Sequence, residues 1–123
     1  MKKIMVVIGL SVLASACVQS YKNQLPGKWQ AVEVLEGEMP MDVNTEVIQF
    51  QFGKNNDYQY FGNLKYKEAG TYYIESKYLY TLDTVNQAST EKVVEIVKLT
   101  GDSLFLKMND NGRERLMKLI KMY

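Results

Sequence analysis

The chain has 123 residues, with 15 basic and 14 acidic side chains, one cysteine and no histidine. The near-neutral balance gives no electrostatic case for nucleic acid or for general attraction to an anionic surface. The missing histidine removes the commonest general base and transition-metal ligand, and a single cysteine excludes an internal disulfide.

Lys2 and Lys3 form a basic n-region, residues 4–13 an apolar h-region, and Ala14-Ser15-Ala16 a small-residue cleavage site before Cys17. The apolar run is too short for a permanent transmembrane helix, so residues 1–16 are expected to be a cleaved signal peptide. The segment leading to Cys17 resembles the lipobox of bacterial lipoproteins, with Ala14 where those proteins usually carry Leu. That resemblance implies that Cys17 becomes the acylated first residue, carrying palmitate-type chains, and ties the protein to a membrane. Ala14-x-Ala16 would also suit ordinary signal cleavage, leaving a free thiol on a secreted protein. An unpaired exported cysteine has few uses other than an anchor, which favours lipidation. Val18 stands where an Asp would favour inner-membrane retention in Gram-negative cells. The expected location is therefore the cell envelope, on the outer membrane. Losing Lys2 and Lys3 and no acid turns the whole-chain charge of +1 into −1.

Residues 17–24 read as the lipidated N-terminus and a short polar tether, and residues 25–123 as one domain of a size that supports a modest core. Leu25-Pro26-Gly27-Lys28-Trp29 opens it and holds the only tryptophan. A glycine two residues before a tryptophan lets the backbone bend where a bulky indole must plug one end of a closed sheet. From there, short apolar and aromatic runs alternate with turn residues every 8 to 12 positions, the signature of a sandwich or barrel.

Strands are expected over residues 28–35, 46–52 and 57–61. Ile48, Phe50 and Phe52 share one face of the second, and Tyr58 and Tyr60 one side of the third. Met39 and Met41 flank Pro40 in a loop that would suit a lid as well as plain packing. Residues 64–68 read as a connector or short edge. Residues 70–75 and 77–83 form a tight hairpin about Ser76, with Tyr72 and Ile74 aligned with Tyr78, Tyr80 and Leu82. Residues 91–99 alternate less tidily, as expected of a strand with some burial on both faces. Residues 103–108 place Leu104, Leu106 and Met108 on one face. Residues 113–123 also fit a helical stripe, but Asn111-Gly112 signals a two-residue type I′ hairpin and favours a strand. Closing eight such strands in up-and-down order removes the exposed edges that invite aggregation.

The exported cysteine, Leu25-Pro26-Gly27-Lys28-Trp29, Gly70-Thr71-Tyr72-Tyr73-Ile74 and Gly101-Asp102-Ser103-Leu104-Phe105-Leu106 together resemble the small lipocalin-like lipoproteins of Bacteroidetes. The resemblance implies an all-β fold: an eight-stranded antiparallel barrel with the Trp29 indole at its closed base. It also implies an arginine from the last strand packed on that indole, a place that Arg113 or Arg115 could take. Larger lipocalins carry a Thr-Asp-Tyr segment that is missing here.

No phosphate loop, serine nucleophile elbow or cysteine cluster is present, so an enzyme, a cofactor and a metal site are not expected. The suggestive residues are Phe50, Tyr58, Tyr60, Tyr72, Tyr78 and Tyr80, which could line a pocket that orients a partly polar ligand. Aromatics also fill barrels for packing alone. Lys65, Lys67 and Lys77 read as solvated strand ends rather than an anion or sugar site. Two functions follow: a membrane-anchored protein holding a small apolar or amphipathic ligand, or a packed barrel whose surface binds another envelope protein. Nucleic acid is not an expected partner.

Overall fold

The computed structural model describes residues 19–123. The expected signal peptide, Cys17 and Val18 lie outside the described residues. Residues 19–24, expected as part of a short polar tether, are helical. The helix ends where the Leu25 N–H donates to the Tyr21 carbonyl at 2.9 Å, and Tyr21 packs against the core.

The strands are β1 (Gly27–Glu36), β2 (Met39–Pro40), β3 (Gln49–Phe52), β4 (Asp57–Phe61), β5 (Lys67–Glu75), β6 (Tyr78–Asp83), β7 (Lys92–Leu99), β8 (Ser103–Asp110) and β9 (Arg113–Met122). From β3 to β9 each strand pairs antiparallel with its sequence neighbour, and β1 pairs with both β3 and β9. The result is a closed eight-stranded antiparallel barrel, with β2 folded back on β1 as a two-residue flap. Residues 113–123 are strand for ten of their residues, as the Asn111-Gly112 turn requires. Both turn residues have positive φ, 54° and 85°, and Asp110 faces Arg113 across them.

Two bulges set which side chains point inward. Along β1, Trp29 and Ala31 are buried, and the register then shifts between Ala31 and Glu33, so that Val34 rather than Glu33 returns to the core. In β7 the same device between Ile96 and Lys98 follows Ile96 inward with Leu99. The uneven alternation of residues 91–99 is this bulge and not burial on two faces, since Val93 and Val97 are about half exposed.

The β5–β6 hairpin corrects an expected register. Its loop is Ser76–Lys77, two residues and not one, so Ile74 pairs with Leu79 and Tyr72 with Thr81. A shift of one position turns every side chain of a strand over. Leu79, Thr81 and Asp83 therefore face inward, while Tyr78, Tyr80 and Leu82 face outward. β5 also starts earlier than expected, at Lys67, after a 3-10 turn (Asn63–Lys65) in which Leu64 and Lys65 have φ near 60°.

Strand direction gives the barrel two different ends. The base carries the start of β1, the end of β9 and the turns 53–56, 76–77 and 100–102; the mouth carries the 37–48 connection, the 62–66 turn, the 84–91 loop and the 111–112 hairpin.

Candidate functional site

The base is a plug. Trp29 is fully buried, its Nε1–H donating to the Leu25 carbonyl at 2.8 Å. Leu25, Leu104 and Leu119 are likewise sealed from solvent. The cation against the indole is Lys121, with Nζ 5.2 Å from the ring and donating to the Pro26 carbonyl at 3.1 Å. Its stem crosses Gly27, where a Cβ would come within 2.7 Å of Lys121 Cε. Arg113 and Arg115, expected here, sit at the other end. Arg115 pairs with Asp110 at 3.1 Å, and both arginines lie 3.7 Å from Glu36. Antiparallel closure explains the exchange, because the start of β1 meets the end of β9: Trp29 is opposite Lys121, and Glu36 opposite Arg115.

An aromatic ladder climbs one inner wall from base to mouth. Tyr72 meets Phe52 edge-on at 5.1 Å, Phe52 stacks on Phe50 at 5.3 Å, Phe50 touches Tyr60 at 4.6 Å, and Tyr60 meets Tyr66 at 6.2 Å. Exposure grows along it. Phe52 and Tyr72 are buried, Phe50 and Tyr60 half-buried, and Tyr66 on the rim is 45% exposed. Val94 and Met108 on the inner face, with Met41 and Val43 of the 37–48 connection, add further partly buried apolar side chains packed on the core.

Beside the ladder lies a buried carboxylate. Glu68 is only 4% exposed, and its oxygens accept from the hydroxyls of Tyr58 (3.0 Å) and Tyr66 (2.6 Å) and from the Lys92 ammonium. Hydrogen bonds and a countercharge are what make burying a carboxylate tolerable. Burial, then the hydrogen bond and charge of Glu68, push the Tyr58 phenol far above its usual range. Burial and the same charge raise Tyr60. Tyr66 is raised first by its hydrogen bond to Glu68. Desolvation alone would lower the Lys92 ammonium, but the hydrogen bond and charge of Glu68 outweigh it and hold it above its ordinary value. Gly70, between Glu68 and Tyr72 on the inward row, lets β5 and β6 approach closely: a Cβ there would stand 1.9 Å from the Leu82 carbonyl oxygen.

Asp83 also points inward but is structural. Its oxygens accept from the N–H groups of Ala69, Val85 and Asn86 and hold the start of the 84–91 loop. Burial would raise its carboxyl, yet the hydrogen bonds from Asn86, Ala69 and Val85 keep it below its usual range.

Of the six residues singled out from sequence, Phe50, Tyr58, Tyr60 and Tyr72 come together on one inner wall. Tyr78 and Tyr80 are on the outside, where Tyr80 stacks on Tyr73 with centroids 4.7 Å apart. Lys77 pairs with Glu95 on that outer side. Glu68, Tyr66, Lys92 and Lys121 were not singled out. The signal for Glu68 was there: counting back by twos from Tyr72 through Gly70 puts it on the inward row.

The fold agrees with the comparisons to known proteins. A family model described as a lipocalin-like domain matches residues 25–106. The chain belongs to the lipocalin-like family. Among solved structures, a lipocalin-like protein from Bacteroides uniformis is 15% identical, with 80% of this chain and 99% of that one covered and a TM-score of 0.61. An uncharacterized protein from Bacteroides eggerthii is 18% identical, with 79% and 98% covered and a TM-score of 0.59. At such identities the likeness carries the fold alone. No curated protein matches the chain. Lipocalin-like barrels are typically binding folds rather than enzymes. In this lipocalin-like chain the Trp29 plug is completed by a lysine from the last strand, and the mouth holds a carboxylate dressed by tyrosines.

Proposed function

We propose that this lipocalin-like protein is a lipid-anchored envelope lipoprotein that holds a small amphipathic ligand in the open half of its barrel. The observation that carries the ligand reading is the gradient inside the barrel, from sealed Leu and Trp side chains at the base to half-exposed Phe50 and Tyr60 beside the Glu68 cluster at the mouth. Apolar walls with a few convergent polar groups are the ordinary composition of a small-molecule site. The anchor is supported by sequence: the basic n-region, the short apolar run and the small residues before Cys17. Val18 supports the outer membrane as the destination. Native mass spectrometry of protein purified from its own membranes tests both parts. The expected spectrum shows acyl chains on Cys17 and a retained small molecule that Tyr60→Ala releases. An unmodified Cys17 removes the anchor, and a protein that carries nothing in any preparation removes the ligand.

A second reading has its own observation. Tyr73 and Tyr80 stack on the outer face of β5 and β6 with Val93 alongside on β7, an exposed aromatic strip suited to an envelope protein partner. Crosslinking in cells that depends on Tyr73 and not on Tyr60 would favour this surface over the barrel interior.

A further inference from the structure

We infer that the mouth site selects an amphipathic cation, and that Lys92 stands in for the ammonium group of that ligand. The inference rests on the reading of the mouth as a ligand site and names the ligand's charge. Glu68 has three partners, and two of them, Tyr58 and Tyr66, are neutral phenols. Its only countercharge among the described residues comes from Lys92, the first residue of β7, whose side chain is 61% exposed against 6% for Glu68. The buried anion is therefore compensated by a solvent-exposed arm from the rim.

That arm ends where a cation meets both a carboxylate and an aromatic face. Lys92 Nζ lies 6.0 Å from the centroid of the Tyr66 ring, and Tyr66 leads through Tyr60 to Phe50 along the ladder. Attraction to ring faces adds to charge pairing when the cation is partly desolvated. The Tyr66 hydroxyl and the Lys92 ammonium converge on the same oxygen, Glu68 Oε2, while the Tyr58 hydroxyl takes Oε1.

Exchange with a ligand conserves charge. The Lys92 ammonium returns to water on a stem that is already mostly solvated, a ligand ammonium takes its place on Glu68, and the ligand's hydrocarbon lies on Phe50, Tyr60 and Val94. An anionic head fares differently. It would face the buried charge of Glu68, and taking Lys92 for itself would leave that carboxylate uncompensated, which is costly.

Three probes with one hydrocarbon separate the possibilities: hexylammonium, hexan-1-ol and hexanoate, titrated calorimetrically at neutral pH into the detergent-solubilised full chain against a protein-free micelle blank. Hexylammonium is expected to bind about tenfold more tightly than hexanoate, the equivalent of one well-made charged contact. Lys92→Ala, a change at an exposed position, should tighten hexylammonium severalfold by removing its competitor, and Glu68→Gln should abolish the preference. Hexanol or hexanoate binding as tightly as hexylammonium overturns the charge assignment and leaves the ligand site standing. Unchanged or weaker hexylammonium binding in Lys92→Ala overturns the stand-in role. Binding of none of the three removes the ligand reading together with this one.

Discussion

At the base of the barrel, Trp29, Leu25, Leu104 and Leu119 are sealed from solvent and one cation, Lys121, lies across the indole. At the mouth, made by the other ends of the same strands, Phe50, Tyr60 and Tyr66 stay partly exposed around a buried carboxylate and the largely exposed Lys92. The base gains free energy by removing apolar surface from water, which favours complete packing. The mouth keeps polar groups whose burial repays little by itself. Changes at the base should therefore register as lost stability, and changes at the mouth as altered pH response and binding.

The largest effect is expected at the plug. Trp29→Ala should cost about 3–5 kcal/mol in urea unfolding, a large share of the roughly 5–15 kcal/mol that holds a domain folded. Ready quenching of Trp29 fluorescence in the folded protein would contradict the plug. Next is the pinch between the two ends. Gly70→Ala forces a Cβ onto the Leu82 carbonyl and should cost about 1–3 kcal/mol through backbone displacement, visible as a lower urea midpoint with an unchanged slope.

The pH response should separate the ends. Tyr58, Tyr60, Tyr66 and Lys92 all have folded-state values above their unfolded ones. Their contribution to stability is thus full below about pH 10 and lost as pH rises through the folded values. Unfolding free energies measured from pH 8 to 11.5 should fall above pH 10, and Glu68→Gln should flatten the share of that fall due to Tyr66 and Lys92, while the share that burial gives at Tyr58 and Tyr60 persists. Tyr72 at the base, raised by burial and by Asp57, leaves a residual slope. An unaltered slope in Glu68→Gln would mean that the mouth cluster does not govern it.

The smallest effects test which cation belongs to the plug. Lys121→Met should cost about 1 kcal/mol, with Lys121→Arg close to wild type, as for a cation held against an indole. Arg113→Ala, on a side chain 70% exposed, should stay within about 0.5 kcal/mol. Equal losses at Lys121 and Arg113 would erase the distinction drawn between the two ends.

Much of the architecture was legible in the residues because strand and turn chemistry is local. Short apolar and aromatic runs between turn residues marked the eight barrel strands, Asn111-Gly112 fixed the last hairpin, and Gly27-x-Trp29 marked the buried indole. The inner wall of Phe50, Tyr58, Tyr60 and Tyr72 also followed from alternation. Tertiary structure decided whatever depended on register or closure. A hairpin loop of two residues instead of one carried Tyr78 and Tyr80 to the outside and brought Thr81 and Asp83 in. Bulges at Val32 and Val97, which no composition rule announces, restored Val34 and Leu99 to the core. Pairing of β1 with β9 placed Lys121, not Arg113 or Arg115, against Trp29. The Glu68 cluster draws Tyr58, Tyr66 and Lys92 from β4, the turn before β5, and β7. Side chains up to 34 positions apart in sequence acquire a common environment only when the barrel closes, so their chemistry is a property of the closed sheet and not of any one strand.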